Sequence, residues 1–325
     1  MPLEFLISKI KKNNFLLIGR AGIDIYPDPP GSKIENAINF VSHLGGSSAN
    51  MGVELTKFGG SCSLLTRVSD DALGRFVSNK LEFYGINNNL VKFEKNESRV
   101  SFAIVETTIK DHQSIIYRHK AADLFLNKQD IESANIPNFD CLLITGTALA
   151  SEPSRSAVLY GLEIANKNNI PVVMDIDFRP YTWESNEKAS EIYNLAVKNC
   201  TGVIGNDEEF SILAGKYEDS LNFAKTLSSN CDLIIYKKGN HGSVSFVEDR
   251  EINKGVFSVN PLKPTGAGDA FMGALIGALL RDYDIEKSIE IGSAAAAIVV
   301  TKVGCAPAMP DLEEILKFMK NKKIS

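Results

Sequence analysis

The 325-residue sequence has one tryptophan, four histidines and five cysteines, and Cys62, Cys141, Cys200, Cys231 and Cys305 are scattered with no CxxC spacing between them. An odd, dispersed set of thiols excludes a disulfide framework and a zinc site, and it suits a reducing compartment. Basic clusters are confined to residues 9–12 and 320–323, with no aromatic residues interleaved among the lysines, and the formal net charge is only -5. Nucleic-acid binding is therefore not expected. The longest apolar stretches, around Gly273 to Leu280 and Ala294 to Val300, are too short to span a bilayer. The opening MPLEFLISKIKKNN has no small-residue cleavage site, so it does not read as a secretory signal. A cytoplasmic chain without membrane partners is the expectation.

What is present is an ordinary globular composition, 44% hydrophobic and 23% charged, in a chain long enough to bury a substantial core. Short apolar runs at 15–19, 62–68, 141–146, 171–177, 202–205 and 232–236 alternate with helical patterns. Helices are expected at 48–58, 71–84, 153–168, 187–199, 207–214, 219–229, 267–282, 285–302 and 311–321, with Ser48, Asp71 and Asp311 as usable caps. This rhythm is that of parallel βαβ units, and the near-continuous hydrophobicity of the strands implies helices on both faces of the sheet. Segments 34–44 and 99–119 break the pattern with strand-like alternation and no helix between. They predict a small β lid, discontinuous in sequence, from about 24–45 and 98–122, whose outer face would suit a dimer contact. One domain over residues 1–325 follows.

The stretch richest in chemistry is KPTGAGDAF, residues 263–271, followed by an apolar small-residue helix. Small residues at a helix start leave amide groups bare, and with the helix dipole they form an anion site suited to a phosphoryl group. Asp269, in the first turn, could take a proton from an attacking hydroxyl. The bland alternative is a glycine turn with a dipole-favoured acid, and the stretch alone does not decide between them. GGSSAN, residues 45–50, offers Gly45 and Gly46 for close backbone approach by a ligand and Asn50 for hydrogen bonds to sugar hydroxyls; a capped strand-to-helix turn is its alternative.

Taken together, these stretches resemble the signatures of the ribokinase-like, or PfkB, family of carbohydrate kinases, and the resemblance covers nearly the whole chain. GRAGID at 19–24 looks like the family's first strand with its substrate-facing acid, Asp24. The resemblance implies a three-layer αβα sandwich with a mostly parallel central sheet, and ATP and Mg²⁺ as cofactors. It implies an anion hole from Gly266, Ala267 and Gly268 with Asp269 as base. Asn206 and Glu209, in NDEE, are similar to an element near Mg²⁺ and the phosphates, where carboxylate and amide oxygens suit a hard cation; a helix cap is the competing explanation. KKGNHGS at 237–243 looks like the nucleotide-side turn, with Lys237, Gly239 and Gly242, and Thr265 belongs to the same side. A hairpin would use the same glycines. The alanine-rich helix around Ala294 to Ala297 is expected to pack, with room for adenine. Two departures stand out: Lys263 where many relatives carry an aspartate that helps hold a monovalent cation, so no K⁺ activation is expected, and Ser69 at the last glycine of the first signature.

Arg118, on a lid strand, and Arg179, in DIDFRPYTW, would both face the cleft of such a fold. Guanidinium groups bind carboxylates bidentately, so they suggest a sugar acid as substrate, each with a surface or interdomain salt bridge as its alternative. VSDDALGRF, TGTALASEPSR, DIDFRPYTW and YRHKAADL look like a branch of the family that phosphorylates the terminal hydroxyl of a deoxy keto acid. Another acid-sugar kinase, such as one for 2-keto-3-deoxygluconate, or a catalytically silent sugar-binding homologue are the alternatives. A dinucleotide oxidoreductase is disfavoured because no GxGxxG follows the first strand.

Overall fold

The computed structural model describes residues 3–215, 219–322 and 324. Met1, Pro2 and Lys323, which belong to the two terminal stretches considered above, lie outside the described residues. Two sheets organise the rest. The large one has nine strands: β1 (Phe15–Ile18), β4 (Cys62–Ser69), β5 (Val91–Glu94), β8 (Cys141–Thr145), β9 (Val172–Asp175), β10 (Gly202–Asn206), β11 (Leu233–Lys237), β12 (Ser243–Val247) and β13 (Arg250–Lys254). Their order is β13-β12-β11-β10-β9-β8-β1-β4-β5. Seven strands run parallel, from β11 to β5, and β12 and β13 close one edge as an antiparallel hairpin. The 237–243 segment is the turn from β11 into the antiparallel β12, as the hairpin reading of its glycines has it.

Every residue of β1 and β8 is buried, as required of parallel strands covered on both sides. One face packs on α1 (Leu3–Ile10), α2 (Ser47–Lys57), α9 (Ala267–Leu280), α10 (Ile285–Val299) and α11 (Leu312–Asn321). The other packs on α4 (Lys128–Ala134), α5 (Ser154–Lys167), α6 (Asn186–Val197), α7 (Asp207–Ala214) and α8 (Ser220–Leu227). Two separate apolar cores thus lie on either face of the large sheet, which is the middle layer of an αβα sandwich. The remaining helix, α3 (Ala72–Phe83), follows β4. Two short helices, α1 and α4, have no counterpart among the expected helices. The opening apolar stretch is α1, whose Leu3, Leu6 and Ile10 are buried.

Asp71 caps α3 through the amides of Leu73 and Gly74, and Asp311 caps α11 through that of Glu314. Ser48 does not cap α2: Gly46 holds that position with φ 97°, and the Ser48 hydroxyl turns inward to Thr145 Oγ1 at 3.2 Å. Ser69 accepts from the amide of Val100 and donates to the Asp71 carboxylate, so a hydroxyl does useful binding where a glycine was expected. All five cysteines are unpaired and buried, and no described helix is long and apolar enough to cross a membrane.

The second sheet joins β2 (Gly22–Asp28), β3 (Asn39–Gly45), β6 (Phe102–Val105) and β7 (Ser114–Tyr117) in the order β3-β2-β6-β7. The parallel pairing of β2 with β6 links its two distant halves. Glu106 adds a clasp, since its buried carboxylate accepts from the amides of Ile34 and Gln113 and from Lys33 Nζ at 3.0–3.1 Å. Register places Asp24, Ala103, Val105, Ser114 and Ile116 toward the large sheet. On the other side lie Phe102, stacked on Tyr117 with ring centroids 4.8 Å apart, and the exposed Phe40 and Ile115.

Candidate active site

A cleft of about 1090 Å³ opens where the second sheet faces the ends of the parallel strands. Ligand sites in open α/β sheets form at this end. At its floor is the start of α9. Gly266 precedes the helix with φ 86°, in the left-handed region, and a Cβ there would meet Cys305 Sγ at 2.9 Å and Val299 Cγ1 at 3.0 Å. Glycine is thus required on both conformational and spatial grounds. No side chain caps α9. Its first amides have no partner within the helix and face the cleft with the positive end of the dipole.

Asp269 sits in that first turn, accepting from Asn50 Nδ2 at 2.9 Å. Asn50 spends its donor on Asp269, and its Oδ1 has no protein partner. It therefore orients the carboxylate, a role that its expected contact with sugar hydroxyls did not include. Burial, then the charge of Asp177, pushes the Asp269 carboxyl up to about 7, against the pull of Asn50.

Three further carboxylates crowd the same floor. Asp175 ends β9, raised by burial and by Asp177 against the opposing charge of Lys237 Nζ, 3.6 Å away. Asp177 has φ 41°, a left-handed conformation uncommon outside glycine. Although burial opposes its charge, Arg179 at 2.6 Å and the Ser47 hydroxyl hold its carboxyl below the ordinary range. Glu209 is pushed up to about 7, first by burial. Its carboxylate accepts from the amides of Asn206, at 2.7 Å, and Phe178, at 3.2 Å, while Asn206 Oδ1 accepts from Glu209 N: a complete capping box on α7. The cap explanation of NDEE therefore holds in full, with both side chains still lining the cleft. Among the described residues no three His, Cys, Asp or Glu side chains converge as a metal cage.

A Cβ on Gly268 would lie 3.5 Å from both Asp175 Oδ2 and Lys237 Nζ, so the turn after β11 meets the start of α9. Gly239 has open space around it, whereas a Cβ on Gly242 would overlap the Lys254 carbonyl oxygen. The smallness of Gly242 serves the hairpin, and Gly239 borders the cleft. Ala296, Ala297 and Val300 line this end with Val256, Phe257 and Val259. Thr265 Oγ1 is buried without a partner. Lys263 is fully buried and points beneath the loop, donating to Thr265 O at 2.7 Å and Val299 O at 3.4 Å. Turning the Thr265 carbonyl toward an ammonium turns the next amide, that of Gly266, the opposite way, because the peptide is planar.

Asp24 is buried, and burial raises its carboxyl while Arg20 and Lys263 pull it down. A Cβ on Gly45 would overlap the Asp24 carboxylate, and one on Gly46 would come within 2.5 Å of Arg20 O. Gly46 makes room for the β1–β2 turn and Gly45 for the Asp24 carboxylate of β2. Each guanidinium nitrogen of Arg118 is bonded: Nε and Nη2 donate to Asp123 at 2.9 and 2.5 Å, and Nη1 donates to Thr147 O at 2.9 Å. Its salt-bridge alternative is what the structure displays. Arg179 is half exposed and paired with Asp177. Four cleft residues that the motifs did not single out, Arg20, Ser47, Asp175 and Asp177, lie inside stretches already quoted; strand-end acids in VVMDID were the available signal.

The chain belongs to the pfkB family of carbohydrate kinases, whose model, "pfkB family carbohydrate kinase", matches residues 12–312. These are phosphotransferases that act on sugar hydroxyls. Among curated relatives it is 36% identical over 314 residues, 95% of each chain, to 5-dehydro-2-deoxygluconokinase of Photobacterium profundum. It is 35% identical to the protein of that name from Geobacillus kaustophilus, over 95% of this chain and 94% of the relative. Among solved structures, a putative ribokinase II from E. coli, in apo form, superposes with a TM-score of 0.84 at 20% identity, covering 95% of this chain and 99% of the other. A fructokinase double mutant from Vibrio cholerae, solved in fructose, ADP and potassium ion bound form, gives 0.82 at 23% identity over 94% and 98%. The three-layer fold is thereby shared.

Because the Asp269 carboxyl rises from an ordinary 3.8 to about 7, the folded chain holds this proton more tightly than the unfolded one. The stability this contributes is complete below pH 3.8 and is lost as pH rises through 7. Asp269→Asn removes the charge and keeps the shape. It should melt at a higher temperature than the wild type at pH 8, with the gap shrinking at pH 5. A variant equally or less stable at pH 8 would contradict the electrostatic crowding described.

Proposed function

We propose that the chain transfers the γ-phosphoryl group of ATP to the terminal, C6 hydroxyl of 5-dehydro-2-deoxy-D-gluconate. The observation that carries this reading is the Asp269 carboxylate, held by Asn50 beside the uncapped amides of α9. Those amides, with Gly266, Ala267 and Gly268, stabilise charge on the migrating phosphoryl group while Asp269 removes the hydroxyl proton. A carboxyl titrating near neutrality is suited to that task, since a large share of it is ionised near neutral pH and it is basic enough to take a proton. The curated relatives named above support the substrate.

Four carboxylates around an anion site would repel a triphosphate. Lys237 and Arg179 offset part of this, and a divalent cation would offset the rest. Glu209, Asn206 and the phosphates, with water, form the hard oxygen set that Mg²⁺ favours, and the fit is of that open kind and not a closed protein cage. Bound Mg²⁺ would neutralise charge on the β- and γ-phosphates. The apolar end of the cleft at Ala296 and Ala297 suits the adenine, and Gly239 and Thr265 border its phosphates. The second sheet acts as a lid, carrying Asp24 over the substrate and excluding water. The ammonium of Lys263, already bonded to carbonyl oxygens, takes the place of a monovalent cation. A reducing cytoplasm suits the five free thiols.

With MgATP and the acid, ADP release should be robust and equal in K⁺ and Na⁺ buffers. Its kcat/KM should climb with pH through about 7, because protonated Asp269 is inactive below that point. Asp269→Asn should lose roughly 10²–10⁴-fold in kcat with binding of the acid retained. Absence of turnover with any sugar acid would leave a silent binding homologue as the better reading.

The outward apolar face of the lid, with Phe40, Ile115 and Tyr117 exposed, suits a second copy of this chain. The particle mass in solution should be near twice 35.5 kDa, and Ile115→Glu should halve it. A wild-type monomer would sink the dimer.

A further inference from the structure

Three arginines line the cleft, and their guanidinium groups are in different states. Arg118 is paired with Asp123 and donates to Thr147 O, with every guanidinium nitrogen bonded. Arg179 is paired with Asp177 and open to water. Arg20 is 7% exposed, and among the described residues no carboxylate lies within ion-pair distance of it. Among the described residues its one hydrogen bond runs from Nε to the buried Ser101 hydroxyl at 2.7 Å, and Nη2 has no partner there. Asp24 and Asp177 feel its charge but neither reaches it.

A buried cation without a counter-ion costs several kcal/mol, far more than an exposed one. This one is held in place. Ser101 opens the segment leading into β6, its carbonyl accepts from Ile23 N at 3.1 Å, and a Cβ on Gly22 would crowd Nη2 at 3.1 Å. One edge of the guanidinium is thus pinned between β2 and β6, and the residue borders the cleft near Asp24. The missing partner is an anion that arrives from the cleft.

We infer that Arg20 is the specificity-determining residue that receives the carboxylate of the sugar acid, through its unshared donors, with Ser101 as its positioning residue. This rests on the kinase reading given above, and it shifts the anchoring role from Arg118 to the β1–β2 turn. The acid then lies with its carboxylate at Arg20 and its far hydroxyl at Asp269. Neutral hexoses of the same length would leave the guanidinium unpaired in a closed site, which is how the pocket would reject them.

The test compares the acid with its C1 primary amide, which has the same shape and no charge, in wild type, Arg20→Gln and Arg179→Gln. For Arg20→Gln, KM for the acid should rise roughly 10- to 100-fold, the range of a hydrogen-bonded charge. Its kcat should stay within a few-fold, KM for the amide should barely move, and the preference for acid over amide should collapse. Equal losses on acid and amide would overturn the inference, as would a collapse in Arg179→Gln in place of Arg20→Gln. Should Arg20→Gln fail to fold, Arg20→Lys, which keeps the charge and loses the fork, decides it: an unchanged acid-to-amide ratio refutes the anchor, and a reduced one supports it. Wild-type protein that turns over neither compound would instead overturn the kinase reading itself.

Discussion

The cleft is governed by one electrostatic tension: the positive end of α9 faces four carboxylates, Asp175, Asp177, Glu209 and Asp269, on a floor that burial has largely stripped of water. Burial drives three of them upward, and only Asp177, paired with Arg179 and Ser47, stays low. The arrangement costs stability in the empty protein, which is the usual condition of a site shaped for charge that comes with its ligands. The strained backbone at Asp177 and the bare amides after Gly266 belong to the same condition.

The fold supplies the rigidity that this tension requires. Parallel strands buried on both faces end at the cleft, so Asp175 and Asn206 are carried by backbone fixed in the large sheet. Gly266 lets α9 begin against Cys305 and Val299 with no room for a side chain. Lys263 supports the loop from below by holding the Thr265 carbonyl. The second sheet is held together by its own β2–β6 pairing and the Glu106 clasp, as suits an element proposed to open and close as a unit.

Local patterns in the sequence announced the architecture. Apolar runs and helical periods are short-range properties, so the parallel strands and the longer helices were readable, as were the caps at Asp71 and Asp311. The glycine run before Asp269 was readable for the same reason. Partner choice was not. That Asn50 serves Asp269, that Gly45 makes room for Asp24, that Ser48 turns inward, and that Arg118 is consumed by Asp123 all depend on contacts made only when distant segments meet. Arg20 shows the same limit from the other side, since what marks it is a partner it lacks, and no sequence spacing records that.

The central claim is an orientation: hydroxyl end at Asp269, acid end at Arg20, phosphoryl group over the amides of residues 266–268. A crystal structure of the protein with the acid and a non-hydrolysable ATP analogue tests it most directly. The expected result is the terminal hydroxyl oxygen about 2.6–3.2 Å from an Asp269 carboxylate oxygen, with the γ-phosphate on the α9 amides. A sugar acid bound the other way round, its carboxylate at the α9 amides and its terminal hydroxyl by Arg20, would contradict it.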